Sequence, residues 1–169
     1  MSTPPIECVR NFSEGLDPAV IRRITAAVEA TEGVELLDVD PGRATNRTVV
    51  TFAGAPEPVV EAAVAAARVG AELIDMRRHS GEHPRFGALD VCPLVPVSGI
   101  DLEETASWAR ELARRLGEEV GLTVYCYEKA AFKSERRNLA AVRAGEYEGL
   151  KEKLADPDWQ PDFGPAELN

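Results

Sequence analysis

Val34-Glu35-Leu36-Leu37-Asp38-Val39-Asp40-Pro41-Gly42-Arg43-Ala44-Thr45-Asn46-Arg47-Thr48-Val49-Val50-Thr51-Phe52-Ala53 decides the fold. Residues 34–39 and 47–53 are runs rich in β-branched and apolar residues, as strands require. Asp40-Pro41-Gly42 between them is turn chemistry. Working outward, Asp17-Pro18 reads as a helix N-cap with proline in the first turn. Val20, Ile21, Ile24, Ala27 and Val28 then recur at helical spacing, and Gly33 closes that element. Residues 6–9 form a short first strand ahead of the turn Ser13-Glu14-Gly15. On the other side, Pro56 and Pro58 open a second helix with Val60, Ala63, Val64, Ala67, Ala71 and Ile74 on one face. Residues 88–97 are a fourth, extended run, and Pro93 and Pro96 place part of it at an edge or bulge.

The order strand, helix, strand, strand, helix, strand is the split βαββαβ arrangement. The expected fold is therefore α/β of the α+β kind: a ferredoxin-like sandwich whose helices cover one face of a mostly antiparallel sheet. A further helix and strand extend it. Asp101 with Glu104 resembles a capping box and leads into Leu102, Ala106, Ala109, Leu112, Leu116 and Val120 on one helical face, ending at Gly121. Residues 123–127 read as a fifth strand and residues 134–154 as a charged, helix-prone stretch. The proline-rich acidic segment 156–165 reads as a linker, although Trp159 and Phe163 in it imply packing against something.

A chain of 169 residues with 44% hydrophobic and 28% charged residues fits one soluble domain. No segment has the apolar length of a membrane span, and the first residues lack a secretory signal, so a cytoplasmic protein without membrane contact is expected. The net charge of −10 opposes a phosphate backbone as partner. Against that charge, Arg43, Arg47, Arg77, Arg78 and Arg85 gather in two short segments and suit a small polyanion, because guanidinium pairs bidentately with carboxylate. Cys8, Cys92 and Cys126 are too scattered for a disulfide framework or a CxxC metal site and read as reduced thiols.

The 2 histidines, His79 and His83, are separated by Gly81 and followed by Pro84. Both intervening features disfavour the helix that would aim two imidazoles at one metal, so no metal is expected. Acid–base work is the open alternative, since histidine exchanges a proton near neutrality. On residue chemistry alone, an exposed loop histidine without a role is the favoured reading.

Several segments taken together carry a resemblance. Glu7-Cys8-Val9-Arg10-Asn11-Phe12-Ser13-Glu14-Gly15 resembles the ECVPNFSEG opening of the formiminotransferase family, with Arg10 in place of a proline. Leu37-Asp38-Val39-Asp40, Thr45-Asn46-Arg47-Thr48, the run from Arg78-His79-Ser80-Gly81-Glu82-His83-Pro84-Arg85 to Pro93, Arg143-Ala144-Gly145-Glu146-Tyr147-Glu148 and Pro161-Asp162-Phe163-Gly164-Pro165 are also similar to that family. The resemblance implies the amino-terminal subdomain of a glutamate formiminotransferase over residues 1–155, with residues 156–169 as the tail that leads on to a second subdomain. It implies transfer of a formimino group from N-formimino-L-glutamate to tetrahydrofolate, a co-substrate, in histidine degradation and one-carbon metabolism. His83 is then the catalytic acid–base residue, with Asp40 or Glu82 orienting it. Arg47, Arg85, Asn46 and Arg78 are the candidates for substrate, and Gly164 and Pro165 for folate. In the family folate lies between two subdomains; the sequence here covers one. A separate chain bearing the second subdomain, a second copy in a homodimer, or the status of a fragment would account for that. The alternative function is a catalytically incomplete module that binds folate or a partner.

Overall fold

The computed structural model describes residues 3–81 and 86–167. Four strands form one antiparallel sheet: β1 (Ile6–Phe12), β2 (Val34–Gly42), β3 (Arg47–Gly54) and β4 (Leu94–Pro96), in the order β2-β3-β1-β4. With α1 (Pro18–Glu29) after β1 and α2 (Pro56–Leu73) after β3, this is the ferredoxin-like arrangement that the sequence predicts. Alternation along β1 sends Ile6, Cys8, Arg10 and Phe12 to the helix side, where Phe52 and Val50 of β3 meet them. α1 contributes Ile24 and Val28, and α2 contributes Val59, Ala62, Ala63, Val64, Ala66 and Ala67, to the same core. The small residues of α2 let its backbone lie close to the sheet. Asp17 caps α1 through Ala19 N at 2.9 Å, and Asp101 caps α3 (Leu102–Arg115) through Glu104 N at 2.8 Å. The helix passes through a wider turn at residues 116–120 and stops at Gly121, with φ 79°. No helix among the described residues is long and apolar enough to cross a membrane.

Three boundaries differ from the sequence reading, each for a local reason. β2 continues through Asp40-Pro41-Gly42, and the turn falls at residues 43–46 instead. β2 is an edge strand, so the missing N–H of Pro41 costs no ladder bond, and Asn46 supplies the positive φ, 47°, that the turn needs. Residues 88–93 follow β1 without forming a regular strand: Asn11 N donates to Val91 O at 3.0 Å and Asp90 N to Asn11 O at 3.1 Å. Pro93 has no N–H to continue the ladder. The helix-prone stretch 134–154 is broken into α4 (Leu139–Arg143) and α5 (Leu150–Ala155), because Gly145 and Glu146 turn left-handed at φ 89° and 53°.

The fifth strand reduces to one bridge, Val124 to Phe163. Its partner is the proline-bounded segment 161–165, which offers too few consecutive donors for a ladder. That segment is nonetheless built into the fold and does not hang as a linker. Arg136, fully buried, donates to Asp162 Oδ1 at 2.9 Å and to the carbonyls of Asp158 and Gln160, and its guanidinium stacks over Tyr125 and Trp159. The Asp162 carboxylate also accepts from Cys126 N at 2.7 Å. Trp159 meets Tyr125 edge-on, and Phe163 meets Phe132. The surface that these aromatics imply is thus supplied by the chain itself.

Asp162→Ala leaves the Arg136 charge buried and unpaired, which costs about 3–5 kcal/mol. Urea unfolding should show that loss, and limited proteolysis should show earlier cleavage within residues 156–165. Burial pushes both Tyr125 and Cys126 up to about 12. The folded chain therefore holds protons that the unfolded chain releases from about pH 8.5 upward. Stability should fall as pH rises from about 9 to about 12, and the decline should be shallower in Cys126→Ala, as thermal melts across that window will read.

Candidate functional site

The sheet end formed by the exit of β1 and the β2–β3 turn gathers most of the polar residues singled out in the sequence. Asn46, at the tip of that turn, is buried, and its side chain is used at both ends. Its Oδ1 accepts from Gly15 N at 2.9 Å, and its Nδ2 donates to Ser80 O at 2.8 Å. Its main-chain carbonyl receives the Nε2–H of His79 at 2.7 Å. A carbonyl only accepts, so Nε2 carries a proton and is not a lone-pair donor for a metal. Gly81 completes the docking: a Cβ there would lie 2.3 Å from Thr45 O. Thr48, at the start of β3, donates through Oγ1 to Glu14 O. Three loops, at residues 13–15, 43–46 and 79–81, are thereby closed on one another.

The other arm of the histidine loop is held separately. Ser13 Oγ donates to Gly87 O at 2.7 Å, and Ser13 N donates to Ala88 O at 2.9 Å. Phe86 N donates to Asp90 Oδ1 at 3.0 Å, while Arg143 donates to Asp90 Oδ2. The Asp90 side chain is 2% exposed, so this is an ion pair within the protein body. The Phe86 ring packs on Tyr125, and Lys153 Nζ sits 5.3 Å from the Phe86 centroid and 4.4 Å from that of Trp159. Burial, and then the nearby Arg136 charge, lower the Lys153 ammonium from its ordinary value. The C-terminal layer thus grips the loop downstream as the sheet grips it upstream.

His83, Glu82 and Arg85 fall outside the described residues, between these two arms. Of the other expected site residues, Arg47 opens β3 opposite Gly42 and is half-buried. Arg78 is exposed in the turn of residues 76–78 that leads into the loop, and Arg43 is exposed in the β2–β3 turn. Docking of residues 79–81 on residues 43–46 brings these three arginines to one corner. Arg77 belongs elsewhere, paired with Asp75 at 2.8 Å and 81% exposed. Asp40 is exposed on β2 opposite Val49. Gly164 and Pro165 pack at another place: Gly164 lies so near Leu122 O that a Cβ would overlap it, and Pro165 O accepts from Thr123 Oγ1 at 2.6 Å. Sequence reasoning missed Ser13, Asp90 and Arg143 as holders of the loop. All three lie in the quoted motifs, but nothing in the spacing says that they meet.

Removing the Asn46 amide should loosen the loop more than the fold. Asn46→Gly keeps the left-handed turn and loses both side-chain bonds, at about 1–3 kcal/mol. Hydrogen exchange should accelerate at residues 13–15 and 79–81 while the core of α2 keeps its protection. Gly81→Ala should produce the same pattern through the clash with Thr45.

The chain matches the family model described as "Formiminotransferase domain, N-terminal subdomain" over residues 5–169. It is 58% identical over 160 residues to the formimidoyltransferase-cyclodeaminase of Gallus gallus, covering 95% of this chain and 30% of that protein. It is 52% identical over 163 residues to that of Dictyostelium discoideum, covering 96% and 30%. It is 42% identical over 164 residues to the glutamate formimidoyltransferase of Streptococcus pyogenes serotype M1, covering 97% and 55%. The chain therefore spans between 30% and 55% of the length of these relatives. Sheet order, the quoted motifs and the match over nearly every residue agree, and the chain belongs to the formiminotransferase family as its N-terminal subdomain.

Proposed function

We propose that this chain forms one half of a glutamate formimidoyltransferase site, moving a formimino group from N-formimino-L-glutamate to tetrahydrofolate. The observation that carries the reading is family membership over residues 5–169. The hydrogen bonds that hold residues 79–80 and 86–87, on either side of His83, support it, with Arg43, Arg47 and Arg78 near the first of these. In the reaction a pterin nitrogen attacks the amidine carbon and gives a tetrahedral intermediate. The attacking amine must lose a proton, and the departing glutamate nitrogen must gain one. A single imidazole with an ordinary value of ~6.5 can do both, and such catalysis is worth ~100- to 10,000-fold.

In this reading His83 carries the proton, and Asp40 or Glu82 steadies the imidazolium. Arg47, Arg78 and Arg85 take the glutamate carboxylates by bidentate pairing, and Gly164 and Pro165 belong to the folate side. Asn46 acts as a positioning residue, since its amide is already committed to Gly15 and Ser80. Folate and formiminoglutamate need a second wall, because pockets bury most of a ligand's surface. A second subdomain, on the same chain or another, or a second copy of this chain, supplies it.

Tetrahydrofolate-dependent release of glutamate, measured with and without the second subdomain, tests the proposal. Turnover that appears or rises on addition of the second subdomain is expected, and His83→Ala should lower it by at least about 100-fold while the circular dichroism spectrum stays unchanged. Binding of reduced folate without turnover in the completed assembly would overturn it in favour of a binding module. Full turnover in His83→Ala would remove His83 from its role.

A further inference from the structure

Arg10 stands where the family resemblance has a proline, and its position is unusual. It is fully buried on the helix side of β1. Nη1 donates to Ala63 O of α2 at 2.5 Å, and the guanidinium lies 5.3 Å from the Phe12 centroid. Nε and Nη2 are buried without a hydrogen-bond partner among the described residues. A buried guanidinium without an anion is costly, several kcal/mol in typical proteins. Its surroundings should therefore contain one.

The register locates the group that can answer. Val9 N donates to Pro93 O at 3.3 Å and Asn11 N to Val91 O at 3.0 Å, continuing the pairing of Cys8 with Leu94. Arg10 and Cys92 are then directly opposite in a non-hydrogen-bonded pair, the position where cross-strand side chains approach most closely. Cys8 is two residues before Arg10 on the same face of β1, and its Sγ lies 3.5 Å from that of Cys92. Cys92 is half-buried, and with Arg10 it lines a cavity of about 570 Å3 between α3 and residues 122–127, walled by Ala109, Leu116 and Tyr127 among others.

We propose that Cys92 is a reactive thiolate site, charge-paired with Arg10, hydrogen-bonded by the Cys8 thiol, and reached through the cavity by hydrogen peroxide and other small soft electrophiles. The hydrogen bond from Cys8, and then the Arg10 charge, draw Cys92 down to about 7 against the penalty of burial. Burial, and then the Cys92 sulfur, hold Cys8 well above the usual thiol range, and Cys8 is fully enclosed while Cys92 borders the cavity, which assigns Cys8 as the donor of the pair. Tyr127, from the segment after α3, also acts on the two sulfurs, and burial keeps its phenol protonated, while Glu7 neighbours Cys8 on β1 with its side chain on the opposite face. With peroxide, the Cys92 thiolate attacks one oxygen and the O–O bond breaks. Hydroxide leaves, and the sulfur, having given up two electrons, becomes a sulfenic acid. Thiolate character and access are what make a cysteine susceptible to this step. No part of the proposed formimino transfer uses these residues.

Pulsed alkylation of the folded, reduced chain with iodoacetamide from about pH 5.5 to about pH 9.5, read peptide by peptide, tests the assignment. Cys126, which burial pushes up to about 12, is the internal reference. The expected result is a Cys92 labelling midpoint near 7, with Cys126 unlabelled across the range. Dimedone should trap Cys92 after brief exposure to peroxide. Arg10→Met should raise the Cys92 midpoint by about one unit or more, and Cys8→Ala should raise it as well. A wild-type midpoint at about 8.5 or higher, or labelling no faster than that of Cys126, would overturn the proposal. The wild-type profile decides this even if Arg10→Met fails to fold.

Discussion

The arrangement depends most on the side chain of Asn46. One amide joins the turn after β1 to the arm that precedes residues 82–85, and the carbonyl of the same residue receives His79. Asparagine suits this position for two separate reasons. It tolerates the left-handed turn better than other residues with a side chain, and it offers a donor and an acceptor that point opposite ways. Aspartate would meet Ser80 O with a second acceptor, and glycine would offer neither group. Because the three loops come from distant parts of the sequence, losing this one side chain would loosen their mutual contact while the Thr48 bond to Glu14 and the His79 bond to the main chain remain.

Two buried ion pairs do the corresponding work on the C-terminal side. Arg143 with Asp90 fastens α4 to the segment just after the loop, and Arg136 with Asp162 fastens residues 156–165 to the turn at residues 134–136. Such pairs contribute little net stability against an apolar replacement, because desolvation opposes the attraction. What they specify is partner and register. The second apolar cluster, with Tyr125, Val142, Leu150 and Leu154 buried and Phe86 and Trp159 against it, is too small to choose its own orientation. The ion pairs choose it, and through Phe86 they carry that choice back to the loop.

How much of this could be read from the sequence follows the same division. The βαββαβ core was legible because its information is local. The Asp17 and Asp101 caps, the alternation in β1 and β3 and the apolar face of α2 each speak within a dozen residues. The boundaries that were missed depend on tertiary surroundings: Pro41 is tolerated because β2 is an edge, and the ladder stops at Pro93 because β1 continues to Phe12 beside a partner that cannot donate. The candidate site was legible only as a set of motifs. His79 and His83 look equivalent in the sequence, yet His79 is a structural donor to Asn46 O. Asn46 reads in the sequence as a substrate contact, and the bonds that tie its amide to Gly15 and Ser80 have no sign there. Asp90 and Arg143, 53 positions apart, give no sign in the sequence that they pair.

Charge poses a last constraint on the proposed chemistry. A chain of net charge −10 repels glutamate and folate, both anions, at long range. At physiological salt that repulsion is screened beyond about 8 Å, so the charges that matter to a bound substrate are those within one or two side chains of it. Under the proposed function, docking of residues 79–81 on the β2–β3 turn would supply them, because it brings the chain at Arg78 beside the chain at Arg43 and Arg47. The same docking bond, from Asn46 to Ser80, therefore both holds residues 79–81 and brings these three positions together. In the proposed reaction a substrate drawn to those arginines would meet residues 79–81 already docked on the turn, so binding energy would not be spent on docking them.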